Sequence, residues 1–267
     1  MTAVPRAVWR LLCCMLHALH GVLIVWLRFP GQGAAQRQAS IGWWSTKVLR
    51  PMGIGLAVRG QLQEGAALLV ANHVSWLDIN ALHAVVPQAR FVSKSDIQHW
   101  PLLSHLADAA DTLYIQRDRK RDALRVVHII AEALAAGQKV AVFPEGTTSD
   151  GRELLPFHAN LLQAAVATGV PVQPIAVRFS DRDSHFSPVV EYIGATTLLT
   201  SMWRIACAEG LVAHITLLPA RPSGGVDRRT LARDLRADIM TCVGLGEVSS
   251  SLLRAGPMQG PDRSAFP

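Results

Sequence analysis

His73 and Asp78 stand five positions apart in the stretch "LLVANHVSWLDINAL", Leu68 to Leu82. An imidazole with a carboxylate on one ring nitrogen is a general base in waiting. The acid fixes the tautomer and the other nitrogen is free to take a proton. On an ideal helix, residues five apart point about 140° away from each other. The pair therefore meets only if the backbone turns between them. Ser75 supplies such a turn: as a helix cap with Asp78 three residues on, it makes an S-x-x-D capping box. A carboxylate at a helix start is also favoured by the dipole. From spacing alone, two readings stand: Asp78 closes a cap, or it orients His73 as a base.

A second stretch, "VAVFPEGTTSDG" (Val140 to Gly151), empties an apolar run into polar residues. Pro144 keeps Phe143 extended. Gly146 permits a tight backbone turn, and the hydroxyls and N–H groups after it can face an anion. No G-x-x-x-x-G-K-[ST] is present, so this is not a nucleotide P-loop; the plain alternative is an ordinary glycine turn with a capping Ser or Thr. In "DTLYIQRDRKRD", Arg117 follows a strand-like segment and offers a guanidinium fork to a phosphate. Arg119, Lys120 and Arg121 read as a solvated helix start.

The elements that must position these residues alternate from Gly53 onward. "GLAVRG", "AALLVAN", "ARFVSK", "TLYIQR", "KVAVF", "VPVQPIAVRF", "SPVVEYIG" and "LVAHITLLP" are strand-like, with prolines at the edges of the sixth. "DINALHAVV", 119–136, 158–168 (closed by Gly169) and 227–241 are helical. Alternation of this kind predicts an α/β fold, a mixed sheet flanked by helices. The expected division is an N-terminal membrane-associated helical segment (1–52), a catalytic domain (53–243) and a disordered Gly/Pro/Ser-rich tail (244–267).

The N-terminal run "LLCCMLHALHGVLIVWL", residues 11–27, is bracketed by Arg10 and Arg28. Seventeen residues is the lower limit for crossing a bilayer, where about 20 is usual. A span and a hairpin dipping into one leaflet both fit. Trp43 and Trp44 in the following segment suit the headgroup region. Half of the 267 residues are hydrophobic, 17% are charged, and the net charge is +6. Basic and apolar together point to anionic lipid or phosphorylated ligands. No nucleic-acid-binding signature is present. The cysteines, Cys13, Cys14, Cys207 and Cys242, form no C-x-x-C pair, and no His/Asp/Glu cluster has metal-ligand spacing, so no metal is expected.

Taken together, "NHVSWLD" (72–78), "YIQR" (114–117), "FPEGTTS" (143–149) and "VPVQPIAV" (170–177) resemble the ordered blocks of the 1-acyl-sn-glycerol-3-phosphate acyltransferase family. "SKSDIQHWPLLSHL" is similar to the family's lysine-containing segment, with Lys94 in the lysine place. The resemblance covers roughly residues 40–220. It implies His73 as general base and Asp78 as its orienting partner. It implies Arg117 at the acceptor phosphate, with Glu145, Gly146, Thr147 and Lys94 around the substrate and Pro174 in the fourth block. The implied reaction needs no cofactor. It moves an acyl chain from acyl-CoA or acyl carrier protein to lysophosphatidic acid, giving phosphatidic acid at the cytoplasmic side of the cell inner membrane. Two departures bear on the head group. The family's Phe-Lys-x-Gly reads Phe157-His158-Ala159-Asn160 here, and Thr112 and Gln116 stand where the second block often carries Gly and an acid. Another lysolipid, such as lyso-ornithine lipid or a lysophospholipid, is the alternative acceptor; a non-catalytic membrane lipid-binding protein is the alternative outside the enzyme class.

Overall fold

The computed structural model describes residues 3–115 and 120–244. Arg117 and, beyond Gly244, the expected disordered tail lie outside the described residues. Among those described, the strands form one sheet: β1 (Ile54–Gly60), β2 (Ala67–Ala71), β3 (Ala89–Lys94), β4 (Leu113–Ile115), β5 (Lys139–Val142), β6 (Val172–Ser180) and β7 (Leu211–Leu217), in the order β1-β7-β6-β2-β5-β3-β4. Every neighbouring pair is parallel except β6 with β7. The expected mixed sheet is therefore the observed one.

The helices are α1 (Ala3–Leu27), α2 (Ala34–Leu49), α3 (Leu77–Val85), α4 (Pro101–Ala109), α5 (Lys120–Ala135), α6 (Gln163–Thr168), α7 (Leu198–Cys207) and α8 (Arg228–Val243). Side chains alternate across β2, because successive strand residues point to opposite faces. Leu69 and Ala71 pack with residues of α1, α2, α3 and α7. Leu68 and Val70 pack with α5, α6 and α8. Every residue of β2 and β5 is buried. A parallel strand covered on both faces reads as a continuous apolar run, which is why these two were visible in the sequence.

Four expectations need correction. "SPVVEYIG" forms no strand. Its chain is irregular, tied by Ser187 N–H to Phe179 O (2.9 Å) and by Tyr192 N–H to Val74 O (3.3 Å), and Val190 fills the core without joining a ladder. Pro174 is not at an edge but inside β6, a central strand, opposite Val70 of β2. It cannot donate to the β7 side, where Leu218 N–H reaches its carbonyl (3.0 Å). The buried Gln173 amide supplies the missing donor instead, bonding Leu218 O at 2.9 Å and Gln61 O at 2.8 Å. The helix at 158–168 divides into a 3-10 turn (Ala159–Leu162) and α6, ended as expected by Gly169 in a left-handed conformation. Helices α4 and α7 were not expected, although Pro101 opens α4 at its first turn and Thr197 caps α7, accepting from Thr200 N–H at 3.2 Å.

α1 is long and apolar enough to cross a membrane by length and composition. One of its faces is buried at Ala7, Cys14, Gly21 and Ile24, while Trp9, Leu12, Leu16, Leu19, Leu23 and Trp26 are exposed. The buried face is fastened at several points. Arg6 donates to Cys207 O (2.9 Å) and pairs with Glu209; Arg10 donates to Ala206 O (3.0 Å) and Ala208 O (2.6 Å). These arginines satisfy carbonyls at the C-terminal end of α7, where cations are favoured. Further along, Trp44 of α2 donates its indole N–H to His17 O at 3.0 Å and stacks on the His17 ring at 5.1 Å. Gly21 is required there: a Cβ would lie 2.4 Å from the Trp44 indole nitrogen.

Candidate active site

β2 and β5 are parallel neighbours, so the loops that follow them leave the same, carboxyl edge of the sheet, where α/β folds place ligands. The first loop begins with a side chain acting as backbone. Asn72 donates to Val177 O and accepts from Val177 N–H, both at 2.8 Å. This adds one rung to the β2–β6 ladder and fixes where His73 starts.

His73 Nδ1 lies 2.7 Å from Asp78 Oδ2. The same oxygen accepts from Val74 N–H (2.7 Å) and Ser75 N–H (3.0 Å). Three donors thus converge on one oxygen of a fully buried carboxylate, and the backbone turn between the two residues is made by that carboxylate. Both readings of the spacing are therefore partly met. The carboxylate half of the capping box exists. The hydroxyl half does not: Ser75 Oγ is buried without a partner, and Trp76 precedes α3 with no side-chain cap. Ser75, fully buried, does not face the opening, so it serves neither as hydroxyl cap nor as a group beside a reacting carbonyl.

The second loop grips His73 from the other side. Glu145 Oε1 accepts from His73 N–H (2.7 Å) and Oε2 from Leu155 N–H (2.9 Å), while Ser149 N–H donates to His73 O (2.8 Å). Glu145 is 3% exposed. Burial pushes its carboxyl pKa up, against the opposing pull of the His73 and Leu155 N–H groups, the Ser149 hydroxyl and the His73 charge. Phe143 stacks flat on the His73 ring, centroids 4.0 Å apart and planes 14° from parallel. What remains open is the ring edge bearing Nε2; the His73 side chain is 19% exposed and Asp78 is 0%.

The other expected residues divide. Gly146 takes a positive φ of 73° and donates to Phe143 O (3.1 Å), the tight turn foreseen for it. Thr147 is exposed on the rim, and Thr148 bonds Tyr192 O. Glu145, expected among the substrate-binding residues, is buried with each oxygen bonded to a main-chain N–H group. Lys94 ends β3, in register with Ile115 of β4. Arg117, two residues past Ile115, lies outside the described residues. Among the described residues no group of three His, Cys, Asp or Glu side chains could hold a metal. Asn72, Phe143 and Ser149 were not singled out from sequence. Each lies inside a quoted block, but its role depends on a partner far away in the chain.

A histidine held by a buried carboxylate, open on its second nitrogen at the carboxyl edge of an α/β sheet, can take a proton from a hydroxyl. Fold and site together define a class, the α/β acyltransferases of lipid metabolism. The Acyltransferase family model matches residues 55–178. The lyso-ornithine lipid O-acyltransferase of Pseudomonas aeruginosa is 38% identical over 77% of this chain and 79% of that protein. The 1-acyl-sn-glycerol-3-phosphate acyltransferase of Neisseria meningitidis is 35% identical over 70% and 73%. The crystal structure of the 1-acyl-sn-glycerophosphate acyltransferase of Thermotoga maritima shares the fold with a TM-score of 0.65 at 19% identity, covering 88% of this chain and 96% of that one. The chain belongs to the 1-acyl-sn-glycerol-3-phosphate acyltransferase family, and it is an acyltransferase of the lysophospholipid type.

Proposed function

We propose that the chain transfers an acyl group from a thioester, on coenzyme A or acyl carrier protein, to the free hydroxyl of 1-acyl-sn-glycerol 3-phosphate, giving phosphatidic acid. The observation that carries it is the His73–Asp78 pair with Nε2 open. Nε2 takes the hydroxyl proton as the oxygen attacks the thioester carbon. The C–S bond then breaks, and the leaving thiolate recovers the proton from the imidazolium. Asp78 stabilises that imidazolium, as a triad acid does. No covalent enzyme intermediate is formed, so no Ser or Cys nucleophile is required. The exposed apolar face of α1 supports membrane association, which suits an acceptor and a product that both stay in lipid.

A second acceptor, lyso-ornithine lipid, is favoured by local chemistry. His158 stands where the family's lysine is expected, and Arg152 is paired with Glu191 (2.6 Å) and Asp150 (3.7 Å), so its charge is already compensated. The Pseudomonas aeruginosa relative is in keeping with it. One assay tests both: purified protein with 1-acyl-sn-glycerol 3-phosphate, lyso-ornithine lipid and lysophosphatidylethanolamine, each with both donors, read by product mass. The proposal expects phosphatidic acid as the main product; acylation of lyso-ornithine lipid alone would move it to the second reading. His73→Ala should lower turnover by about 10²- to 10⁴-fold. Survival within a few-fold would remove His73 as the base.

A further inference from the structure

Away from His73, on the sheet face opposite α1 and α2, three strands and two flanking segments meet around two arginines. Arg178 of β6 lies directly across from His214 of β7, and Arg59 of β1 across from Thr216 of β7. Residues of this parity face away from the α1–α2 side, because their neighbours Val177, Phe179, Ala213 and Ile215 fill the core there. Ser180 Oγ is 2.8 Å from His214 Nε2, and Arg178 donates to His185 O at 2.6 Å. The Cys242 thiol of α8 bonds Thr216.

The cluster is electrically one-sided. Among the described residues neither Arg59 nor Arg178 has a carboxylate ion-pair partner. Burial and then the charge of Arg59 pull the Arg178 pKa down. Burial, Arg178, Arg59 and His185 do the same to His214. Like charges held together in a half-buried setting cost free energy. An anion would relieve that cost. Two guanidinium forks with serine and threonine hydroxyls beside them are the kind of donors that bind a phosphate.

The patch is also mechanically close to the site. Val177, which holds the Asn72 amide, immediately precedes Arg178. The segment that starts at His185 runs back to the His73 turn. Phe186 approaches Gly151 beside Val74, and Tyr192 N–H reaches Val74 O. A bilayer is the poorer occupant, because the membrane-seeking face of α1 belongs to the other side of the sheet. We propose that Arg59, Arg178 and their hydroxyl neighbours bind the phosphorylated nucleotide end of a coenzyme A thioester donor. This rests on the thioester-donor reading given above.

The test uses full-length protein in detergent, with Arg59→Gln, Arg178→Gln and the double variant checked for unchanged melting. Calorimetry with 3′,5′-ADP as probe measures the site without turnover, and initial rates measure the donor and acceptor KM separately. The expected result is nucleotide binding by the wild type that weakens at least about ten-fold in the double variant. The KM for acyl-CoA should rise likewise, with kcat and the acceptor KM little changed. No nucleotide binding by the wild type, or equal affinity in the double variant, would overturn the proposal. So would a KM rise confined to acyl carrier protein as donor, which would assign the patch to that acidic protein. If 3′,5′-ADP binds as expected but no lysolipid is acylated, the site stands and the acyl-transfer reading fails.

Discussion

Glu145 is bound at both oxygens to main-chain N–H groups, one of them that of His73. A substrate ligand needs a free lone pair facing the opening; a brace needs the reverse. Replacing Glu145 with Gln keeps one acceptor and sets an amide donor against an N–H. We expect Glu145→Gln to lower stability by about 1–3 kcal/mol and to reduce kcat, with the acceptor KM nearly unchanged. A raised acceptor KM at normal kcat would instead return Glu145 to the acceptor pocket. The importance of this glutamate was legible in the sequence from its block, but its job was not. Its two partners, 72 and 10 positions away, are set by tertiary packing, and spacing along one strand says nothing about them. The His73–Asp78 pair was more legible because its geometry is local: one turn, closed by the same carboxylate that holds the ring.

At the level of elements, α3 carries a second histidine of a different kind. His83 is buried against Phe91, with Nε2 3.2 Å from Ala89 O, and burial pushes its pKa from 6.5 down to about 4. Between those values the unfolded chain binds a proton that the folded chain does not. Stability contributed by neutral His83 is therefore fully present above about pH 6.5 and is lost as pH falls toward 4, by up to about 3 kcal/mol. Urea midpoints measured at pH 7 and pH 4.5 should show this fall, and it should shrink in His83→Leu. Equal falls in both proteins would clear His83. The strands β2 and β5 could be read from the sequence because a doubly covered parallel strand is apolar throughout. The segment 187–194 misled for the related reason that a buried irregular segment is also apolar. Pro174 misled because the rule against proline in a central strand assumes no substitute donor, and Gln173 provides one.

For the whole molecule, the apolar surface of α1 is a continuous face of Leu12, Leu16, Leu19 and Leu23 between Trp9 and Trp26. Each leucine moved into lipid contributes roughly 1.5–3 kcal/mol. Leu12→Ser, Leu16→Ser and Leu19→Ser together should reduce co-flotation with vesicles at least about ten-fold, leaving turnover of detergent-dispersed substrate near normal. Unchanged flotation would move the contact elsewhere. Length and composition made this helix visible in the sequence. Its attachment was not, since Arg6 and Arg10 read as flanking charges until their carbonyl partners 196 to 201 positions away are known.

That attachment constrains more than packing. A helix whose first turns are bonded to the end of α7, and whose later turns are sealed to α2, cannot leave the catalytic domain to cross a bilayer without breaking every one of those bonds. Kept on the domain and laid flat, it would make the protein a resident of one monolayer. Lysolipid in the opposite monolayer would then be beyond its reach until something else carried it across, and in closed vesicles the rate of lipid flip-flop would set the ceiling on how much acceptor the protein consumes.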